Sequence, residues 1–407
     1  MSASQQELDE FQAEAAAWFS ENKPADPGFL LPQSFMEVGT DQQFEFLRRW
    51  QRKVYEAGYL GMAWPGEYGG GGREQAFQDI ATAEMVRQKV PFMTNTIGLS
   101  WAGPLILNMG TDAQKAAYIK RILSAEDIWC QGFSEPDNGS DLGNAQLRAV
   151  RDGEAYVLNG SKIWTSLGAY ADFIILLART DTQTNTKYEG LSYFLAPMKI
   201  AGVDPAPIKK LTGEHGFTQT FFNDARIADS CLIGEEGGGW QVAMKTLTFE
   251  RAVSGGQAGG VHSMAVSAWE VVEMARHAMR DGKPAIEDPI IRDQLVAFLI
   301  EERGLALNNK RGEIPGLISE RPASIAMSRK LTNSEWRRRL NQFAVTLQGA
   351  NASRYVGDAD AIDGGRWQRG YFNAFSSTIG GGTSQIQKNI VGERVLGLPK
   401  SEKRGAK

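Results

Sequence analysis

The sequence predicts an α+β protein in three successive parts: an N-terminal all-α domain, a middle antiparallel β-barrel or sandwich, and a C-terminal four-helix bundle. Apolar residues recur at helical spacing in the first and last parts of the chain. Between them, short apolar runs of strand length follow one another with turn residues and no helical pattern in between. The changes of pattern put the boundaries at 1–127, 128–236 and 237–407.

From Ser4 to Ala125 charges interleave with Leu, Phe, Trp and Ala, and Leu47, Trp50 and Val54 fall on one helical face. Two Pro/Gly-rich interruptions, Pro24 to Gly28 and Trp64 to Gly72, read as loops. Gly110-Thr111-Asp112 reads as a turn into a further helix capped by Thr111 or Asp112. In the middle part, Asp152-Gly153 and Asn159-Gly160 are hairpin-type turns flanking Ala155 to Leu158. Phe173 to Leu177, Leu191 to Leu195 and Thr218 to Phe222 are further candidate strands. Beyond Gly237 the helical period returns: Trp240, Met244, Leu247 and Arg251 share a face, and long helices are expected over 268–278, 292–307 and 323–347.

Composition narrows the function. With 42% apolar residues over 407 positions the chain can build a sizeable core, which excludes disorder as its main state. The 44 basic and 48 acidic side chains nearly cancel, leaving no general basic surface for nucleic acid or anionic lipid. Cys130 and Cys231 are the only thiols, and His215, His262 and His277 lack metal-ligand spacing, so no disulfide framework or metal site is expected. No apolar run approaches the roughly 20 residues of a membrane span. The start, MSASQQELDEFQ, shows no secretory signal, so a cytoplasmic protein is expected.

Four segments could carry chemistry. Phe133 to Asp141 is dense in glycine, hydroxyl and turn residues. It reads either as a domain-linking turn or as a loop whose N–H groups approach a planar or anionic ligand. In Lys162 to Ser166, Trp164 reads as core or, beside two hydroxyls, as a flank for an aromatic cofactor. Arg251 falls on the apolar stripe next to Glu250, where a charge is costly unless paired or bound to an anion. The glycine pairs 255–256 and 259–260 that follow suggest close approach by a ligand or another helix. Finally, Thr378 to Lys388 joins a glycine loop to a hydroxyl-capped helix. That arrangement serves an anion or cofactor, or simply caps the helix.

Five motifs along the chain, some of them parts of these segments, occur in register. They are Trp64-Pro65-x-x-Tyr68-Gly69-Gly70, Phe133-Ser134-Glu135-Pro136-x-x-Gly139-Ser140-Asp141, Asn159-Gly160-x-Lys162-x-Trp164, Leu232 to Gly239, and Gly382-Thr383-Ser384-Gln385-Ile386-Gln387. In this order, the chain resembles the flavin-dependent acyl-CoA dehydrogenases over nearly its full length. The resemblance implies FAD as cofactor, an acyl-CoA thioester as substrate, α,β-dehydrogenation as reaction and an electron-transfer flavoprotein as acceptor. Carried over by position, Gln131, Phe133, Ser134, Trp164 and Ser166 line the flavin ring, with Gly139 and Ser140 in the adjoining cofactor segment. Thr383 and Gln385 touch FAD, Ser140 lies near the acyl-CoA, Arg251 lies near its CoA portion, and the Gly381 N–H polarises the thioester carbonyl.

Three departures sharpen that expectation. Gly381 stands where many members carry their catalytic glutamate. A smaller set places the base on a helix just before an Arg, which here is Glu250. The missing side chain at Gly381 also leaves room for a bulky, branched or ring-bearing acyl group, and this set resembles enzymes of steroid side chains. The usual Arg-x-x-Phe-Gly turn begins at Ala278, and a Gln-x-x-Gly-Gly segment reads Thr346-Leu347-Gln348-Gly349-Ala350. The adenylate grip therefore looks depleted, and a homologous second chain in a heterotetramer is expected to supply it. Two other readings stay open: a non-catalytic subunit of such an assembly, and a flavin oxidase or monooxygenase on the same scaffold.

Overall fold

The computed structural model describes residues 3–251, 258–260, 266–312, 314, 317 and 323–399. Chain contacts divide it into two compact units, Met1–Met264 and Ala265–Lys407.

The first unit opens with helices. In α1 (Gln5–Asn22), Ser4 and Glu7 satisfy each other's backbone N–H groups in a capping box. In α2 (Asp41–Glu56) the predicted stripe Leu47, Trp50, Val54 is fully inside. After α3 (Gln75–Arg87) and α4 (Gly103–Met109), α5 (Asp112–Leu123) starts on a second box, Thr111 with Gln114. The loop from Trp64 to Gly72 folds back tightly: a Cβ on Gly70 would sit 2.3 Å from the Trp64 carbonyl oxygen.

The sheet comprises β1 (Trp129–Gly132), β2 (Arg148–Asp152), β3 (Ala155–Ser166), β4 (Phe173–Arg179), β5 (Leu191–Pro197), β6 (Val203–Ile208) and β7 (Phe217–Ala228). Their order is β1-β4-β2-β3-β7-β6, with β5 on β4. The predicted runs fall in β3, β4, β5 and β7, and Asp152-Gly153 joins the β2–β3 hairpin. Two details differ from expectation. First, β1 runs parallel to β4, in register Gln131 opposite Ile175. Second, Asn159-Gly160 is no turn but lies within β3 at a register shift against β7, with Gly160 at φ 135°. The polar pair serves a bulge there: Asn159 donates to the Asp224 carboxylate and accepts from the Asp224 N–H, each at 3.0 Å.

α6 (Gly239–Arg251) belongs to the first unit. Val242 and Ala243 join one continuous core with Leu47 and Trp50 of α2 and with Ile175, Leu177 and Leu195 of the sheet. Gly239 permits the close approach, since a Cβ there would lie 2.5 Å from the Ser192 carbonyl carbon. Gly259 and Gly260 are not helical: their φ values are 81° and 92°, and a Cβ on Gly259 would meet Gln78 at 2.0 Å. Close approach holds for both, with Gln78 of α3 as the neighbour of Gly259 and Met93 as that of Gly260. Gly255 and Gly256 lie outside the described residues.

The second unit holds α7 (Ala268–His277), the hairpin β8 (Met279–Arg280) and β9 (Lys283–Pro284), α8 (Pro289–Arg311), α9 (Ala323–Leu347), α10 (Arg366–Ile379) and α11 (Ser384–Ile390). The three long helices expected here correspond to α7, α8 and α9. Val271, Leu295, Trp336, Leu340, Ala344 and Trp367 form its core. Lys330 on α9 meets the Gly382 carbonyl beyond the end of α10, and Gln348 beyond the end of α9 meets Gln368 near the start of α10, so the two helices run antiparallel. Cys130 and Cys231 are both buried and unpaired, and burial pushes both thiols up. Among the described residues no helix is long and apolar enough to cross a membrane, and no group of His, Cys, Asp or Glu is placed to hold a metal ion.

Candidate functional site

The first unit gathers its candidates where β1 ends beside β3. Gln131 sits on β1 with its amide nitrogen buried and without a hydrogen-bond partner among the described residues. Phe133 is buried edge-on against Tyr193, ring centres 5.9 Å apart. The Ser134 carbonyl accepts from Ile163 N–H at 2.8 Å, joining this segment to β3. Glu135 and Asn138 close a tight turn by exchanging backbone hydrogen bonds, which leaves Gly139 and Ser140 exposed.

Beneath this turn lies an ion pair. Lys162, at 0% exposure, donates to Glu135 Oε1 at 2.8 Å and to the Phe133 carbonyl at 3.1 Å. The Glu135 carboxylate also accepts from Gln146 N–H at 2.6 Å and Leu147 N–H at 2.8 Å. Burial pushes the Lys162 ammonium below its ordinary pKa, opposed by the adjacent carboxylate.

Two residues on, Trp164 occupies a register shift between Lys162 and Thr165 and takes φ 61°. Its indole is 57% exposed, an edge touching Phe217 at 6.0 Å between ring centres. Of the readings left open for Trp164, core is excluded. Ser166 is buried, and so is Thr165, whose hydroxyl has no partner among the described residues. Thus Phe133, Ser134 and Trp164 are held together through the Ser134–Ile163 contact. Sequence reasoning passed over the ion pair that does much of the holding; its only signal was a lysine amid strand-forming residues.

The backbones of Glu250 and Arg251 form the last turn of α6. The side chains of both lie outside the described residues.

In the second unit, Gly381 takes φ 63° and Gly382 φ 88°. The loop is clamped: Gln387 donates to the Gly381 carbonyl at 2.9 Å, and Lys330 to the Gly382 carbonyl at 2.6 Å. Thr383 caps α11 by accepting from Ile386 N–H, while Gln385 is exposed. Ser384 donates to Glu335 at 2.6 Å, a contact that holds the Glu335 carboxyl below the usual range. Ala278 is buried at the end of α7, its N–H and carbonyl both used at 2.8 Å. The Gln348 amide is likewise used, accepting from Gln368 Nε2 at 2.8 Å.

Models of the N-terminal, middle and C-terminal domains of acyl-CoA dehydrogenases match residues 33–126, 130–225 and 237–396. "Acyl-CoA dehydrogenase IpdE1" of Mycolicibacterium smegmatis is 36% identical over 98% of this chain and 99% of its own length. The chain belongs to the acyl-CoA dehydrogenase family. Among solved structures, the "Tcur3481-Tcur3483 steroid ACAD" superposes with TM-score 0.80 at 29% identity, covering 98% of this chain and 99% of that one. The ChsE4-ChsE5 complex from Mycobacterium tuberculosis gives 0.75 at 27%, covering 98% and 100%.

Acyl-CoA dehydrogenases are FAD-dependent, and this chain is one of them: a flavoprotein that dehydrogenates an acyl-CoA thioester. The residues described above fit that cofactor. A planar heteroaromatic ring needs an apolar flank and hydrogen-bonding groups at its edge. The exposed Trp164 indole offers the first, and the partly exposed Ser134, tied to the neighbouring Ile163, carries a hydroxyl of the second kind.

Proposed function

We propose that this enzyme removes hydrogen across Cα–Cβ of a bulky, ring-bearing acyl-CoA, a steroid-derived side chain being the best fit, with Glu250 as its base. Gly381 carries this reading: the C-terminal loop there has no side chain able to accept a proton, and its φ of 63° favours glycine. A positioned base contributes typically ~10²–10⁴-fold, so the reaction needs a carboxylate from elsewhere. Glu250 lies on α6, in the same compact unit as Gln131, Phe133, Ser134, Trp164 and Ser166. The steroid enzyme named among the similar structures supports the substrate class.

In this reading the Glu250 carboxylate takes the proton from Cα while the Cβ–H electron pair leaves as hydride and the Cα–Cβ double bond forms. FAD supplies the hydride acceptor. Gln131, Phe133, Ser134 and Ser166 line the ring and Trp164 covers it, keeping water from the hydride path. Ser140 lies near the acyl-CoA and Arg251 near its CoA portion, and Thr383 and Gln385 reach the cofactor. An electron-transfer flavoprotein takes up the electrons, and the enzyme works in the cytoplasm.

The assembly we propose is a heterotetramer with a homologous subunit. Ala278 has no charge to offer a nucleotide, and Gln348 is engaged with Gln368, so this chain's own adenylate grip is weak. The complex of two chains among the similar structures supports this.

Anaerobic titration of the yellow protein with a panel of acyl-CoAs tests the reading in one trace. Bleaching by ring-bearing thioesters and not by short straight ones is expected; the reverse order defeats the substrate claim. A homotetramer holding one FAD per protomer defeats the assembly claim.

A further inference from the structure

We infer that Glu135 and Lys162 form a positioning pair, fixing the spacing between the Phe133-Ser134 segment and Trp164 so that both meet the flavin ring. This rests on the reading that Trp164 lies against that ring. The geometry is specific. Three stretches of chain converge on one carboxylate and one ammonium: Phe133 to Glu135 through the Phe133 carbonyl and the glutamate itself, Gln146-Leu147 through two N–H donors, and β3 through Lys162. The next residue, Ile163, donates to Ser134, and the one after it is Trp164.

A buried ion pair is a poor way to stabilise a core, because desolvating both charges consumes most of their attraction. Its value lies in fixed geometry, and here four contacts of 2.6 to 3.1 Å converge on the two side chains. The need is visible at Trp164, whose φ of 61° is an uncomfortable backbone for an aromatic residue. Such a conformation persists only where the surroundings over-determine it. Arg179 braces the far side of the same loop, donating to the carbonyls of Gly143, Ala145, Lys187 and Glu189 at 2.9 to 3.1 Å. The Glu135–Lys162 pair therefore sits at the centre of a braced frame whose outermost member is the exposed indole.

The test uses FAD-free protein labelled with 5-fluorotryptophan, the Trp164 ¹⁹F resonance being assigned by Trp164→Phe. Glu135→Gln and Lys162→Met should each shift or broaden that resonance, leave the other tryptophans in place, and weaken FAD binding by about tenfold. The double variant should lose no more than the worse single one, since both act through one contact. An unmoved Trp164 resonance with unchanged FAD affinity overturns the inference. Movement of all tryptophans together, or loss of the fold in both single variants, also overturns it, by reducing the pair to a stability element. Unchanged FAD binding in Trp164→Ala would instead refute the placement of Trp164 at the flavin, and with it the inference that the pair serves the flavin site.

Discussion

Gln131 and Gln348 each place an amide in the interior of their own unit, and the two amides are used in opposite ways. Gln131 keeps a buried N–H group with no partner among the described residues, whereas Gln348 accepts from Gln368 at 2.8 Å. The contrast extends to their neighbours. In the first unit the Trp164 indole is exposed; in the second the N–H and carbonyl of Ala278 are both used within the fold. An exposed aromatic face in one region and an engaged amide beside satisfied backbone groups in the other fit a ligand surface and a structural one, respectively. On the proposed function, this chain keeps the flavin-ring side of the family's site and has a weakened adenylate side.

The strongest challenge to that contrast is Glu250→Gln. It should lower kcat by about 10²–10⁴-fold while FAD still binds; unaffected turnover in the assembled protein would make this chain the silent partner. A paired comparison comes next. Gln131→Leu should weaken FAD binding by roughly tenfold, the worth of a well-placed hydrogen bond, with little change in melting. Gln348→Leu should do the opposite, costing about 1 kcal/mol because it removes the shortest acceptor of the Gln368 amide, with FAD affinity unmoved. Equal effects of the two on FAD affinity would erase the distinction.

Smaller effects belong to the C-terminal loop. Gly381→Ala puts a Cβ on a left-handed backbone and should destabilise the protein by about 1–2 kcal/mol in denaturant melts. The smallest concerns Glu335, whose hydrogen bond from Ser384 keeps its carboxyl ionised to lower pH than usual. A depressed folded-state pKa stabilises the native state above the unfolded value and is lost as pH falls through the folded one. Wild type and Glu335→Gln should therefore differ in melting temperature near neutrality and converge in the acid range. A constant gap would count against the Ser384 contact as its source.

Much of the fold was legible because its signals are local. The Thr111 box, the stripe of Leu47, Trp50 and Val54 and the β2–β3 turn are each set by residues within a few positions of one another. Asn159-Gly160 shows the limit. The same dipeptide suits a hairpin turn or a bulge, and only the partner strand, with Asp224 opposite, selects the bulge. Trp164 is the parallel case in the site. Its neighbours said strand and therefore core, yet the shift in β3 turns it outward, and the frame enforcing that is assembled from residues ~30 positions away.

The sequence by itself determined the succession of helical, strand and helical parts, the family, and the absence of a carboxylate at Gly381, because periodicity and residue identity are written one position at a time. Tertiary structure alone decided that β1 would lie parallel to β4, that α6 would share its core with the sheet, and that Lys162 would find Glu135. Those outcomes depend on which surfaces can be buried together and which buried charges can be neutralised, and both are settled only when distant segments meet.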